Sequence, residues 1–308
     1  MNTLKIHNYT FQLPSRINEI NAKQLLTFAS CLIMPSGLNR VRAQMLLFFA
    51  MLNSNQNRAN LWGFRWWYMK NYSLIPLLDL LTFRRLKWTV QRFDEHDLDD
   101  FQSLYASFFF DDETPFVLQK MKFIRQQLRW FVGPRDACAD IAFRQYRECE
   151  VALKGFDTVK LMQSSETQRK KLVQLMSWLY LPWWSKYAFK KYALSYEATA
   201  KRAVRFSKLT DSTLYAVYLF YAGSRQYFRK HFSSVFQKEN ADFDELQPKR
   251  KKETDIEQQL LDMLHIRSGN VTNDTETDLS NVYDVLGHFQ TEARQAAAIK
   301  EEYERNKT

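Results

Sequence analysis

The chain has 308 residues, 45% hydrophobic and 15% aromatic, which is enough apolar material for one large or two ordinary cores and too much for a disordered protein. Only 7 Gly and 7 Pro are available for turns and bulges, so strands should be few and the fold mainly α. The formal charge is +10, but it is unevenly placed: residues 1-238 hold 35 Lys+Arg and 18 Asp+Glu, a net of +17, and residues 239-308 hold 9 and 16, a net of −7. A basic body with an acidic tail points to an anionic partner, or to a tail that folds back and screens the body.

Three cysteines, Cys31, Cys138 and Cys149, lack C-x-x-C spacing and are odd in number, which fits a reducing compartment and argues against a disulfide framework or a metal site. The first residues, "MNTLKIHNYTFQLPS", contain no secretory h-region. The apolar run "MLLFFAML" is far shorter than the roughly 20 residues of a membrane span. A cytoplasmic protein without a membrane span is therefore expected.

In chain order, "LKIHNYTFQLP" alternates apolar and polar residues and predicts a short strand or hairpin. Asn18 or Asn21 then caps a helix with Ala22, Leu25, Leu26, Ala29, Leu32 and Ile33 at helical spacing, and a second helix is expected from about Leu38 to Leu52. The Asn-rich "NSNQNRAN" reads as a loop. Helical patterns resume at "SLIPLLDLLTFRRLKWTVQRF" and "PFVLQKMKFIRQQLRWF", the latter ending at Gly133-Pro134. The pattern thus predicts two packed helical halves, 1-133 and 134-236, the second with helices at about 136-155, 166-181, 184-206 and 211-232. A polar linker follows over 237-279, and the last segment, 280-308, is an amphipathic helix and acidic tail. Its stripe is Val282, Val285, Leu286, Phe289, Ile299 and Tyr303, with alanines between, which docks either on its own body or on a partner. A weak internal repeat pairs "INAKQLLTFA" with "IAFRQYRECE", matching Gln24 to Gln145 at an offset of 121, and "RAQMLLFFAML" with "RKKLVQLMSWLY", matching Gln44 to Gln174 at 130.

The chemistry-bearing motifs are few. There is no G-x-S-x-G, phosphate-binding glycine loop or H-E-x-x-H, and the five histidines share no ligand spacing. The acid cluster "FDEHDLDDFQ" lacks the EF-hand order and suits a helix start. No enzyme and no cofactor are expected. "WWSKYAFKKYALSYEATAKRAVRF", Trp183 to Phe206, mixes rings with cations, and Lys186, Lys190, Lys191, Lys201 and Arg202 are its candidate anion-binding residues. Its rings and charges do not separate onto opposite helix faces, so core aromatics with Lys and Arg stems lying over them explain most of the pattern.

Several stretches together resemble helical proteins from the tail-morphogenesis region of tailed phages and prophages of the Bacteroides type. They are "YTFQLPSRINEINAKQLLTF", "GPRDACADIAFRQYRECEVALKGF", "LVQLMSWLYLP", "LYAVYLFYAGSRQYFRKHFSSVF" and the terminal "NVYDVLGHFQTEARQAAAIKEEYE". The resemblance is to tail assembly chaperones, which hold the tape-measure protein while tube subunits polymerise around it. It implies a non-enzymatic factor of the host cytoplasm, with a helical tape-measure-like client and tail tube subunits as partners. No residue role is carried over, because none of these stretches is a catalytic motif. The alternative is a basic helical nucleic-acid-binding protein of a phage or mobile element, screened by its acidic tail.

Overall fold

A computed structural model describes residues 2–6, 8–14, 17–33, 51, 57, 59–60, 62–63, 66, 118–126, 128–157, 160–161, 165–185, 190–236 and 276–305. The expected helix at 38-52 apart from Met51, the one at 73-93, the acid cluster at 94-100 and most of the linker lie outside these residues. The described chain is mainly helical, with a two-stranded and a three-stranded antiparallel sheet. It divides into two compact units, one of Met1–Phe116 with Asp211–Ala216, the other of Val117–Thr210 with Val217–Thr308.

The first unit opens with the expected hairpin, β1 (Asn2–Ile6) paired to β2 (Tyr9–Leu13) from Asn2↔Leu13 to Ile6↔Tyr9. The alternation of β2 turns Phe11 and Leu13 inward. Two asparagines of the "NSNQNRAN" loop serve this strand's backbone. Asn57 accepts from Gln12 N through Oδ1 at 2.7 Å and donates Nδ2 to Gln12 O at 2.6 Å, and Asn60 donates to Thr10 O. Gly63 lies close against this strand, and a Cβ there would stand 2.7 Å from the Tyr9 ring, so that ring would have to shift. Helix α1 (Ala22–Leu32) is capped by Asn21, whose Oδ1 accepts from Gln24 N while Gln24 Oε1 accepts from Asn21 N. The Gln24 amide then donates to Met51 O at 3.2 Å.

In the second unit the structure departs from the sequence expectation. "FIRQQLRWFV" is a hairpin and not the end of a helix: β3 (Phe123–Gln126) pairs with β4 (Arg129–Val132) in the register Phe123↔Val132 to Gln126↔Arg129. Its turn carries no Gly or Asn; Leu128 occupies the left-handed region at φ 62 instead. Without that punctuation the run has no turn signal, and its apolar residues fit a helical period equally well. Gly133, where the boundary between halves was expected, lies inside this unit: its N–H donates to Lys122 O, and an added Cβ would meet the Tyr180 ring at 2.8 Å.

After a 3-10 turn, α2 (Phe143–Leu153) and α3 (Glu166–Leu179) pack along each other. Gln145 repeats the device of Gln24: its Oε1 accepts from Ala142 N at 3.0 Å, and its Nε2 donates to Trp178 O, at the end of α3, at 2.8 Å. Each unit therefore runs hairpin, 3-10 turn and helix, with a glutamine at the helix's third residue tying the helix start to a helical carbonyl in the same unit.

Strand β5 (Leu181–Pro182) adds to β4. The segment expected as one helix over 184-206 is broken into a 3-10 turn, α4 (Lys190–Ala193) and α5 (Tyr196–Phe206), because Ser195 caps α5 by accepting from Ala198 N. The inner face of the sheet, Ile124 and Phe131, is buried, with the Phe131 ring edge-on to Phe206 at 4.8 Å. Helix α6 (Asp211–His231) is followed by the short α7 (Ser233–Phe236) and, after the linker, α8 (Val282–Arg305).

At the centre of the unit Glu150 is buried, with Arg225 Nη2 at 2.7 Å and the Tyr221 hydroxyl donating to it at 3.1 Å. Burial pushes this carboxyl above its ordinary range, against the pull of Arg225 and Tyr221.

Two outcomes are expected. Gln145→Ala deletes two buried hydrogen bonds and leaves the Ala142 N–H and the Trp178 carbonyl unsatisfied, so stability falls by about 2–4 kcal/mol in denaturant titration. For Glu150 the folded chain holds the carboxyl proton more tightly than the unfolded chain. Its contribution is therefore largest at low pH and declines as pH rises from the ordinary carboxylate value of about 4.3 through the raised folded value. Unfolding titrations across pH 4–7 should show that Glu150→Gln removes this downward slope.

Candidate binding surfaces

The C-terminal helix is stitched onto the second unit before it begins. Asn281 bridges Ala142, Phe143 N donates to Ser280 O at 2.9 Å, and Val282 N donates to Ile141 O at 3.1 Å. The Asn281 amide reaches Ala139 O at 2.8 Å and the Tyr283 hydroxyl reaches Ala137 O at 2.9 Å. Ala137 and Cys138, between these contacts, both have positive φ, so the tail holds a strained turn in place. Asn281 Oδ1 then accepts from Tyr283 N, and the Tyr283 ring sits edge-on to Phe228 and Phe232.

This anchoring divides the apolar stripe. Val282, Val285, Leu286 and Phe289 are buried in the chain's own core, so of the two dockings the stripe left open these candidate partner-binding residues take the one on their own body. Three- and four-residue spacing specifies a face and does not say what covers it. Gln290 still donates to His231 O, but every residue from 294 to 299 is exposed, and Ile299 and Tyr303, one helical turn apart, are each 67% exposed.

The candidate anion-binding residues are likewise divided. Lys186 lies outside the described residues, and of Lys190 only the backbone in α4 is described. Lys191 is exposed. Lys201 is exposed and engaged with Glu197 one turn back, at 2.5 Å. Arg202 is a correction, since it is only 4% exposed, donating Nε to Ser177 O at 2.9 Å and Nη2 to Thr199 Oγ1 at 2.9 Å. Desolvation lowers it to about 10. It ties α5 to α3 and offers nothing to an external anion.

A second surface was not legible in the sequence. The pairings Phe123↔Val132 and Arg125↔Trp130 define the outer face of the sheet, opposite Ile124 and Phe131. Phe123 is 60% and Trp130 48% exposed, and the Arg125 guanidinium lies 5.8 Å from the Trp130 ring centroid. The ladder Val132↔Leu181, Phe131↔Pro182 leads next to Trp183, 60% exposed, in a turn that contacts β4. A helix would also place Phe123 and Trp130, seven residues apart, on one side; what the helical reading missed is the hairpin register that sets Arg125 beside Trp130 and the β5 pairing that brings Trp183 next to them.

Among the described residues no group of three or more His, Cys, Asp or Glu could hold a metal ion, and no helix is long and apolar enough to cross a membrane. Burial pushes the Cys138 thiol up to about 12. No family model, no curated protein and no solved structure matches the chain.

The division of α8 has a measurable consequence. Leu286→Ala should cost about 2–5 kcal/mol as a core truncation. Ile299→Asp should leave stability within about 0.5 kcal/mol of wild type, as a surface change does. Thermal or denaturant unfolding of both variants checks this, and equal losses would contradict the anchoring.

Proposed function

We propose that this chain is a non-enzymatic assembly factor of a tailed phage or prophage, a chaperone that holds a long amphipathic helical client of the tape-measure kind, with tail tube subunits as further partners. The observation that carries the reading is the form of α8: rooted by hydrogen bonds and a buried apolar stripe at one end, and at the other carrying Ile299 and Tyr303 on exposed helix. Such a helix end suits pairing with another amphipathic helix, which buries the same i, i+4 stripe on both partners. The resemblance of the terminal stretch to phage tail-morphogenesis proteins supports the same role.

The test is purification of the tagged chain from its own producing cells at low salt, with co-purifying proteins identified by mass spectrometry. A long helical protein is the expected partner. Truncation should begin after Gln290, since residues 280–290 belong to the fold. The chain ending at Gln290 and the Ile299→Asp/Tyr303→Asp double variant should both stay folded and lose the client. A client retained by both variants removes the helix end from the binding site, and recovery of no protein partner at all removes the chaperone reading.

A further inference from the structure

On the outer face of the three-stranded sheet Val132 and Leu181 are buried, but Phe123, Arg125 and Trp130 on the same face are left uncovered. Exposed Phe, Trp and Arg side chains on a sheet stand where solvent normally selects smaller polar residues, and a patch of this kind marks a binding site. Its charge states what kind. From Val117 to Arg135 the chain carries Lys120, Lys122, Arg125, Arg129 and Arg135 and no acidic residue. Lys122, Arg125 and Arg129 are exposed around the rings. None of these three residues has an acidic partner in the described ion pairs. An aromatic face whose own hairpin supplies cations and no acid is complementary to a ligand that is both anionic and planar.

We propose that this face binds single-stranded nucleic acid, with Phe123, Trp130 and Trp183 as stacking platforms and Lys122, Arg125 and Arg129 as contacts to the phosphate backbone. Adjacent strands lie about 4.8 Å apart, so Arg125 and Trp130 stand side by side on β3 and β4, and Trp183, in the turn that follows β5 and contacts β4, extends the platform toward two or three splayed nucleotides. The guanidinium of Arg125 beside the Trp130 ring gives a base a planar cation to lie against in addition to the indole. Duplex DNA fits less well, because its bases are closed into the stack and a flat sheet face does not enter the major groove as a helix or ribbon does. An acidic polypeptide would satisfy the cations but not the row of exposed rings. The proposal uses no residue of α8 and stands apart from the chaperone reading.

The experiment is fluorescence anisotropy of the full chain with a labelled 20-nucleotide oligothymidylate, a duplex of equal length and poly-glutamate, each at 50 and 200 mM salt, with intrinsic tryptophan emission recorded in parallel. The single strand should bind tightest, quench tryptophan emission and weaken steeply with salt. Trp130→Ala and Trp183→Ala should each lower its affinity about tenfold while circular dichroism stays unchanged. Arg125→Gln should reduce the salt slope by about one. Ile299→Asp should change none of these values. Absence of single-strand binding at 50 mM salt would overturn the proposal, as would binding that both tryptophan variants leave intact, which would be bulk charge alone. Tighter binding of poly-glutamate than of oligothymidylate would make the face a protein interface instead.

Discussion

The second unit depends on three consecutive residues, Ile141 to Phe143, whose backbone groups are claimed by a neighbouring glutamine and by the C-terminal segment. The Ala142 N–H goes to the side chain of Gln145, which also holds the last turn of α3 through Trp178 O. The Ile141 carbonyl and the Phe143 N–H go to Val282 and Ser280, more than a hundred residues later. A helix start exposes N–H groups that require partners, and here a local glutamine and a distant strand of tail supply them. Placement of α3, of the strained turn at 137–138 and of α8 all follow from how those few groups are satisfied.

This arrangement gives the C-terminal helix two characters. Its first two turns are a structural part, as necessary to the unit as α2 or α3, because removing them would uncover Phe228, Phe232 and the turn they sit beside. Its remainder is exposed helix, with apolar residues left over after the core is closed. An isolated helix of that length is marginal in water, so a firmly docked root is what makes a presented helix end workable as a contact element. The sheet face meets solvent in another way: its inner side is fixed by Phe131 on Phe206, and the alternation of strands then obliges Trp130 and Phe123 to stand outside.

Where local signals were strong, the residues could be read directly. The alternation of "LKIHNYTFQLP" pointed to a strand or hairpin and the structure shows the hairpin, the cap was narrowed to Asn18 or Asn21 and the structure selects Asn21, and Ser195 was available to break the basic-aromatic run, though only the structure shows that it does. The Gln24 and Gln145 match, seen as a faint repeat, has a physical meaning in the structure: both amides bridge a helix start to a helical carbonyl. The second hairpin was hidden because Leu128 takes a conformation usually left to Gly or Asn. Arg202 looked like a surface cation because burial of a guanidinium depends on acceptors such as Ser177 O, which no spacing rule along α5 identifies.

Composition and periodicity by themselves determined that this is a mainly helical protein, that few strands occur, and that the final helix carries one apolar stripe. Those properties are local, arising from propensity, capping and the 3.6 or 2.0 residue period. Tertiary structure alone decided which part of that stripe is core and which is exposed, that Arg202 is interior, and that Phe123 and Trp130 stand on one face of a hairpin with Trp183 in the turn beside it. Each of these depends on which element covers which, and coverage is set by contacts between residues far apart in the chain.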